Sequence, residues 1–287
     1  MPLALLLAAA AVMEVDPGLP THTVYRPADL AAATRTGPLP IVGWANGGCR
    51  NEGNRFRPFL EEIAARGYLV VAIGPIAGPD VEKPAPPKVR VAPPKQSGDP
   101  DAPPPKTRWQ QLGDAIDWAV AENGRVGSPW QGRLDPQKIA VMGQSCGGLQ
   151  ALKYSASDPR VKTSVIWNSG VLPGSGGLPG AETVKADLDT LHAPIAYISG
   201  DAGDVAFPNA DDDFARITKV PVVRAWKAGV GHSGTYREPA GGAFAPVAIG
   251  WLDWQLKGSA AGKAMFLPAG GCALCRTPGW TVKSKGF

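Results

Sequence analysis

Five residues, Gly143-Gln144-Ser145-Cys146-Gly147, set a serine between two glycines at G-x-S-x-G spacing. An apolar, β-rich run, Lys138–Met142, comes just before them, and a helical pattern opening at Gly148 comes just after. A strand, a sharp turn through serine and a helix form the context in which that serine becomes an exposed nucleophile. The helix N-terminus beneath it favours developing negative charge. A serine hydroxyl is a weak nucleophile, so the chemistry also needs a base and an acid to orient that base. The expected chain order is serine, acid, histidine.

The chain has three histidines. His22 lies ahead of the first expected strand and precedes Ser145. His192 precedes the run Ile195–Ile198, at the N-terminal edge of a sheet. His232 follows the run Val220–Trp226 on the glycine-rich stretch Gly229–Gly234. By order and by position His232 is the expected base. The acid should follow Ile195–Ile198, where Asp201 and Asp204 both stand. Asp204 is preferred, because it sits a short loop past the strand end, within reach of the far imidazole nitrogen. Asp211, Asp212 and Asp213 read as the first turn of a helix, where acids complement the dipole. A tetrahedral intermediate also needs two backbone donors. One is the amide of Cys146. The other is that of Gly48 or Cys49, in the loop Trp44–Arg50 after an earlier strand. Trp167 and Asn168, at the crevice end of a strand, are expected to line the substrate pocket. Phe207, Tyr236 and Trp109 are further pocket candidates.

These residues need a scaffold, and the hydrophobic pattern supplies one. Strand-like runs occur at Ile41–Trp44, Tyr68–Ile73, Lys138–Met142, Lys162–Trp167, Ile195–Ile198 and Val220–Trp226. Helical periodicity occupies Arg55–Ala65, Trp109–Ala121, Gly147–Ala156, Ala210–Ile217 and Phe244–Leu256. Alternating strands and helices predict an α/β fold, a mostly parallel sheet with helices on both faces. From Pro75 to Pro105 there are eleven prolines in 31 residues, which forbids helix and predicts an extended loop. That loop follows the strand Tyr68–Ile73 and reads either as a flap beside the site or as a surface insertion.

Composition narrows the classes. The chain has 287 residues, 44% of them hydrophobic, and can bury a core without staples. A net charge of +4 from 29 basic and 25 acidic residues, evenly spread, argues against nucleic acid. Three histidines and four cysteines leave little room for metal sites. The apolar run 2–13 is too short to span a bilayer. It reads as a secretory signal without a basic n-region, or as a buried N-terminal helix. Residues 1–21 are thus expected to be a signal peptide or N-terminal extension. Residues 22–261 are expected to be the catalytic domain, with the proline-rich loop 75–106, and residues 262–287 a tail packed on it. Cys272 and Cys275 form C-x-x-C without a second pair, which reads as a local disulfide in an exported protein. Cys49 and Cys146 flank the expected oxyanion hole. They are either a disulfide that fixes the two donors or two buried thiols that fill space.

Through Asn46-Gly47-Gly48-Cys49, Gly143–Gly147, Gly200–Asp204 and Gly231-His232, the chain resembles the α/β-hydrolase superfamily over nearly its whole length after about residue 22. It is most similar to the dienelactone-hydrolase and cutinase-like (polyester hydrolase) branch. The resemblance implies a serine carboxylic-ester hydrolase with an exposed site, no cofactor, and a small or polymeric ester as substrate. Asn46 stands before Gly47-Gly48 where the usual oxyanion motif of this type has histidine, and the proline-rich loop is unexpected in a cutinase. Competing readings are an acyltransferase or peptidase using the same site, and a ligand-binding protein of the same fold without turnover.

Overall fold

The computed structural model describes residues 10–78, 104–174 and 176–287. Among them nine strands form one sheet in the order β1-β2-β4-β3-β5-β6-β7-β8-β9. The strands are β1 (Ala11–Glu14), β2 (His22–Pro27), β3 (Leu39–Ala45), β4 (Leu69–Ile73), β5 (Leu134–Gln144), β6 (Val161–Trp167), β7 (Ile195–Gly200), β8 (Val222–Lys227) and β9 (Trp280–Lys285). From β4 through β8 every neighbouring pair is parallel. The β1–β2, β2–β4 and β8–β9 pairs are antiparallel.

Parallel neighbours need crossovers. Helices make four of the five, α2 (Arg57–Ala65), α3 (Gln111–Gly124), α4 (Cys146–Ser157) and α5 (Phe207–Arg216), with α6 (Phe244–Lys257) leading toward β9, while the connection from β6 to β7 carries a 3-10 turn at Lys185–Thr190. Two short helices, α1 (Leu30–Ala33) and α7 (Ala260–Phe266), complete the set among the described residues. Side chains alternate across a strand, so each central strand feeds two cores. In β3, Leu39 and Ile41 enter one cluster with Leu112, Ile116, Leu149 and Leu152 from α3 and α4. Val42 and Trp44 enter the other, with Phe59, Ile63, Val247 and Trp251 from α2 and α6.

The fold class is that expected, an α/β-hydrolase fold, but the sheet is wider at both ends. β1 takes in Ala11–Glu14, inside the stretch read as a leader. His22 opens β2, so Ile41–Trp44 lies in the third strand and not the first. The final residues of the tail form β9 along β8. These edge strands are short, and β9 carries Lys283 and Lys285, which blunts the exposed edge but hides the strand from a search for apolar runs. The leader reading of residues 2–13 falls mainly on positions 1–9, and most of the proline-rich loop, 79–103, likewise lies outside the described residues. Asp211–Asp213 are corrected: α5 begins at Phe207-Pro208, which places the three acids in mid-helix. There they pair with cations, Asp211 with Arg224, Asp212 with Lys185 and Arg216, and Asp213 with Lys185.

Candidate active site

β5 ends at Gln144 and α4 begins at Cys146, so Ser145 alone makes the turn. Its backbone lies at φ 55°, ψ −121°, a conformation that L-residues rarely adopt. Close approach enforces the flanking glycines. A Cβ on Gly143 would stand 2.1 Å from the Gly147 carbonyl oxygen, and one on Gly147 would stand 2.1 Å from that of Ala45. The turn is tied to β6, because the Ser145 amide donates to the Trp167 carbonyl at 2.9 Å. The Ser169 hydroxyl donates to the Ser145 carbonyl at 2.7 Å.

His232 arrives on the loop after β8. Asn168 Nδ2 donates to the Gly231 carbonyl at 3.2 Å, and Gln144 Nε2 donates to that of His232 at 3.0 Å. Ser145 Oγ lies 2.8 Å from His232 Nε2, and Asp204 Oδ1 lies 2.7 Å from His232 Nδ1. An ionised carboxylate only accepts, so Nδ1 carries the proton and Nε2 is free to accept from the serine hydroxyl. Asp204 is buried, which raises its pKa. Hydrogen bonds from His232, the Ala206 amide and Asn168 outweigh that cost and hold the carboxyl below its ordinary value. Asn168 Nδ2 reaches Asp204 Oδ2 at 2.8 Å, and the Tyr236 hydroxyl donates to Asn168 Oδ1. The result is one chain of hydrogen bonds, Ser145 to His232 to Asp204 to Asn168 to Tyr236.

The other candidates for acid and base are engaged elsewhere. The Asp201 carboxylate accepts from the amides of Gly203 and Gly229 and shapes the loop. His22 is buried, with Nε2 donating to the Gln111 carbonyl, and burial lowers its pKa. His192 bonds the Val161 carbonyl at the start of β6.

Cys146 is the first residue of α4, so its amide is one of the donors a helix leaves without an internal partner. Facing it, Gly48 and Cys49 adopt positive φ values of 65° and 46°. All three residues line the same cleft as Ser145 and His232. A disulfide joins Cys49 to Cys146, and a second joins Cys272 to Cys275. Asn46 is a strut: its side chain accepts from Trp44 Nε1 and donates to the Ile73 carbonyl.

The cleft holds about 700 Å³. Of the five residues expected to line the pocket, Trp109, Trp167, Asn168, Phe207 and Tyr236, it takes in Asn168 alone. Trp167 is fully buried on the opposite face of the sheet, packed on Phe59 and Phe244. Strand alternation aims it away from Ser145, and the site is met by the next residue, Asn168, at φ 42°. Tyr236 is equally buried and meets the site only through Asn168. Phe207 lies against Trp226 and under the Arg224 guanidinium. The walls are instead Pro104–Lys106, Leu149, residues Ser169, Gly170, Leu172, Leu178 and Pro179 after β6, and Val205, Ala206 and Asn209. The rule that ligands sit beyond the carboxyl ends of parallel strands could have found the post-β6 segment.

A mostly parallel sheet covered on both faces, with a serine on the strand-to-helix turn at its carboxyl edge, defines an α/β-hydrolase. A family model described as PETase, PET hydrolase-like, matches residues 98–170, about a quarter of the chain, from the end of the proline-rich loop through Ser145 to Gly170. The protein is a serine hydrolase acting on ester bonds. A search of curated proteins finds no match.

Among the described residues no helix is long and apolar enough to cross a membrane. No group of three or more His, Cys, Asp or Glu side chains there could hold a metal ion.

Proposed function

We propose that the protein hydrolyses carboxylic esters through an acyl-enzyme on Ser145, with His232 as base and Asp204 as the orienting acid. The observation that carries this reading is the continuous Ser145–His232–Asp204 hydrogen bonding, at 2.8 Å and 2.7 Å, opening on a cleft. Ser145 Oγ attacks the ester carbonyl while its proton passes to His232 Nε2. The tetrahedral oxyanion is held by the amide of Cys146 and that of Gly48 or Cys49. The carbon–alkoxy bond then breaks, and the proton on His232 leaves with the alcohol. Water repeats the sequence on the acyl-enzyme and releases the acid. Asp204 remains ionised throughout and holds the imidazole tautomer.

The PET hydrolase-like match extends the substrate class to polyesters. The two disulfides support export to an oxidising compartment, outside the cell or in a periplasm. Because edge strands β1 and β9 complete the sheet, we read Ala11–Lys285 as one catalytic unit.

The test is hydrolysis of p-nitrophenyl esters from acetate to decanoate, with Ser145→Ala as control. Activity abolished by that change is expected. A folded wild-type protein inert on every ester would overturn the reading in favour of ligand binding without turnover. Faster acyl transfer to an added alcohol or amine than to water would move it to an acyltransferase.

A further inference from the structure

We infer that the cleft selects esters of aliphatic acids carrying a second, free carboxylate, and that Lys106 is the residue that reads this charge. The inference rests on the esterase reading above and names its substrate class. The apolar walls are aliphatic: Pro105, Leu149, Leu172, Leu178 and Val205. Every Trp, Tyr and Phe of the chain falls within the described residues, and none lines the cleft. The stretch 79–103 contains no aromatic residue to add one. The cleft thus offers no ring face or edge on which an aromatic acid could stack in the offset or edge-to-face arrangements rings favour.

Charge supplies the second half of the argument. Among the described residues Lys106 is the one lysine or arginine lining the cleft, and no aspartate or glutamate lines it. The Asp204 carboxylate lies buried behind His232. The Lys106 side chain is exposed, but its backbone is fixed from both sides. Pro104 and Pro105 precede it, each with φ locked by its ring. Thr107 follows it, buried, and donates its hydroxyl to the Cys49 carbonyl at 2.9 Å. Gln150 Nε2, on α4, donates to Thr107 Oγ1 at 3.2 Å and to the Gly180 carbonyl at 3.0 Å. Gly180 packs so closely that a Cβ there would stand 2.2 Å from the Thr107 carbonyl oxygen. The oxyanion loop, α4 and the post-β6 segment therefore converge to hold one cation over an otherwise aliphatic wall.

An acid whose carbonyl oxygen faces the Cys49 loop extends along that wall. A carboxylate at its far end meets Lys106. Hydrolysis converts such a half-ester and water into the free diacid and an alcohol. These half-esters are the chain ends left by cleavage of an aliphatic polyester, so an enzyme that cuts such a polymer internally would supply them.

The test compares kcat/KM for monomethyl suberate, methyl octanoate and monomethyl terephthalate in the wild type, Lys106→Met and Lys106→Glu. The suberate-to-octanoate ratio should fall about two- to fivefold in Lys106→Met, the range of an exposed ion pair, and further in Lys106→Glu. High salt should lower the wild-type ratio in the same direction. The terephthalate half-ester should be the poorer of the two anionic substrates. A ratio unchanged by either substitution, or terephthalate turned over as well as suberate, overturns this inference and leaves the esterase reading standing. No hydrolysis of any ester by the wild type removes both.

Discussion

The two disulfides invite a quantitative comparison, because they close loops of very different length. Cys49 and Cys146 are 97 residues apart in sequence, and Cys272 and Cys275 only 3. In the chain-entropy account, a closed loop of about 97 residues removes about 4.7 kcal/mol of freedom from the unfolded chain at 25 °C, and one of about 3 residues about 1.6 kcal/mol. The double variant Cys49→Ala/Cys146→Ala should therefore lose about 3 kcal/mol more stability than Cys272→Ala/Cys275→Ala. It should also lose activity, since the bridge joins the residue after Ser145 to the loop facing it, where Gly48 and Cys49 are held at positive φ. Loss of one oxyanion donor costs about 100- to 1,000-fold in kcat, so a loosened donor should cost at least about tenfold, with KM changed less. Urea unfolding of both variants and the wild type gives the stability difference, and steady-state ester hydrolysis gives kcat and KM. If the 49/146 variant is no less stable than the 272/275 variant, the loop-entropy argument is wrong. If it keeps wild-type kcat, the bridge does not position the donors.

Other expectations follow from the same geometry. Ser145→Gly should abolish ester hydrolysis yet stabilise the fold by about 1–3 kcal/mol in urea unfolding, by releasing the strain at φ 55°. A variant less stable than wild type would refute that strain. Asp204→Asn should lower kcat about 10⁴-fold with KM little changed, because the imidazole loses the partner that sets its tautomer. The folded Asp204 pKa is depressed, so its contribution to stability is full above the unfolded value and is lost as pH falls through the folded one. The Asn variant should accordingly show a shallower acid limb in stability measured against pH. Tyr236→Phe leaves Asn168 Oδ1 without its donor and should cost about 1–3 kcal/mol in stability, with a smaller loss of kcat through Asn168 and Asp204. A neutral effect on both would disconnect Tyr236 from the site.

The local signals in this chain carry far. The G-x-S-x-G turn between an apolar strand and a helix places Ser145 without reference to anything distant, since close packing of β5, β3 and α4 requires those glycines. Order along the chain then leaves one histidine, and the strand before it fixes which end of the sheet it reaches. The six central strands were legible for the same reason: fully buried parallel strands are continuous apolar runs. The outer strands were not: β1 and β9 each leave one edge exposed and read much like loops, and β2, though paired on both sides, is His22-Thr23-Val24-Tyr25-Arg26-Pro27 and not an apolar run.

Tertiary structure decided what depends on which face a residue presents and what stands across from it. Sequence placed Trp167 and Asn168 together at a strand end. The pleat sends the tryptophan into the core behind the sheet and turns the asparagine onto Asp204. Sequence left both Asp201 and Asp204 open while preferring the second for its reach, and the loop geometry engages Asp201 with the amides of Gly203 and Gly229 and leaves Asp204 for His232. The pairing of Cys49 with Cys146, and the clamp of Thr107 against Cys49 and Gln150, arise between segments remote in sequence. Residue types and periodicity set the fold class and the chemical groups, because those follow from local packing. The walls of the cleft and the partners of each polar group were set by long-range contact, which a linear pattern does not encode.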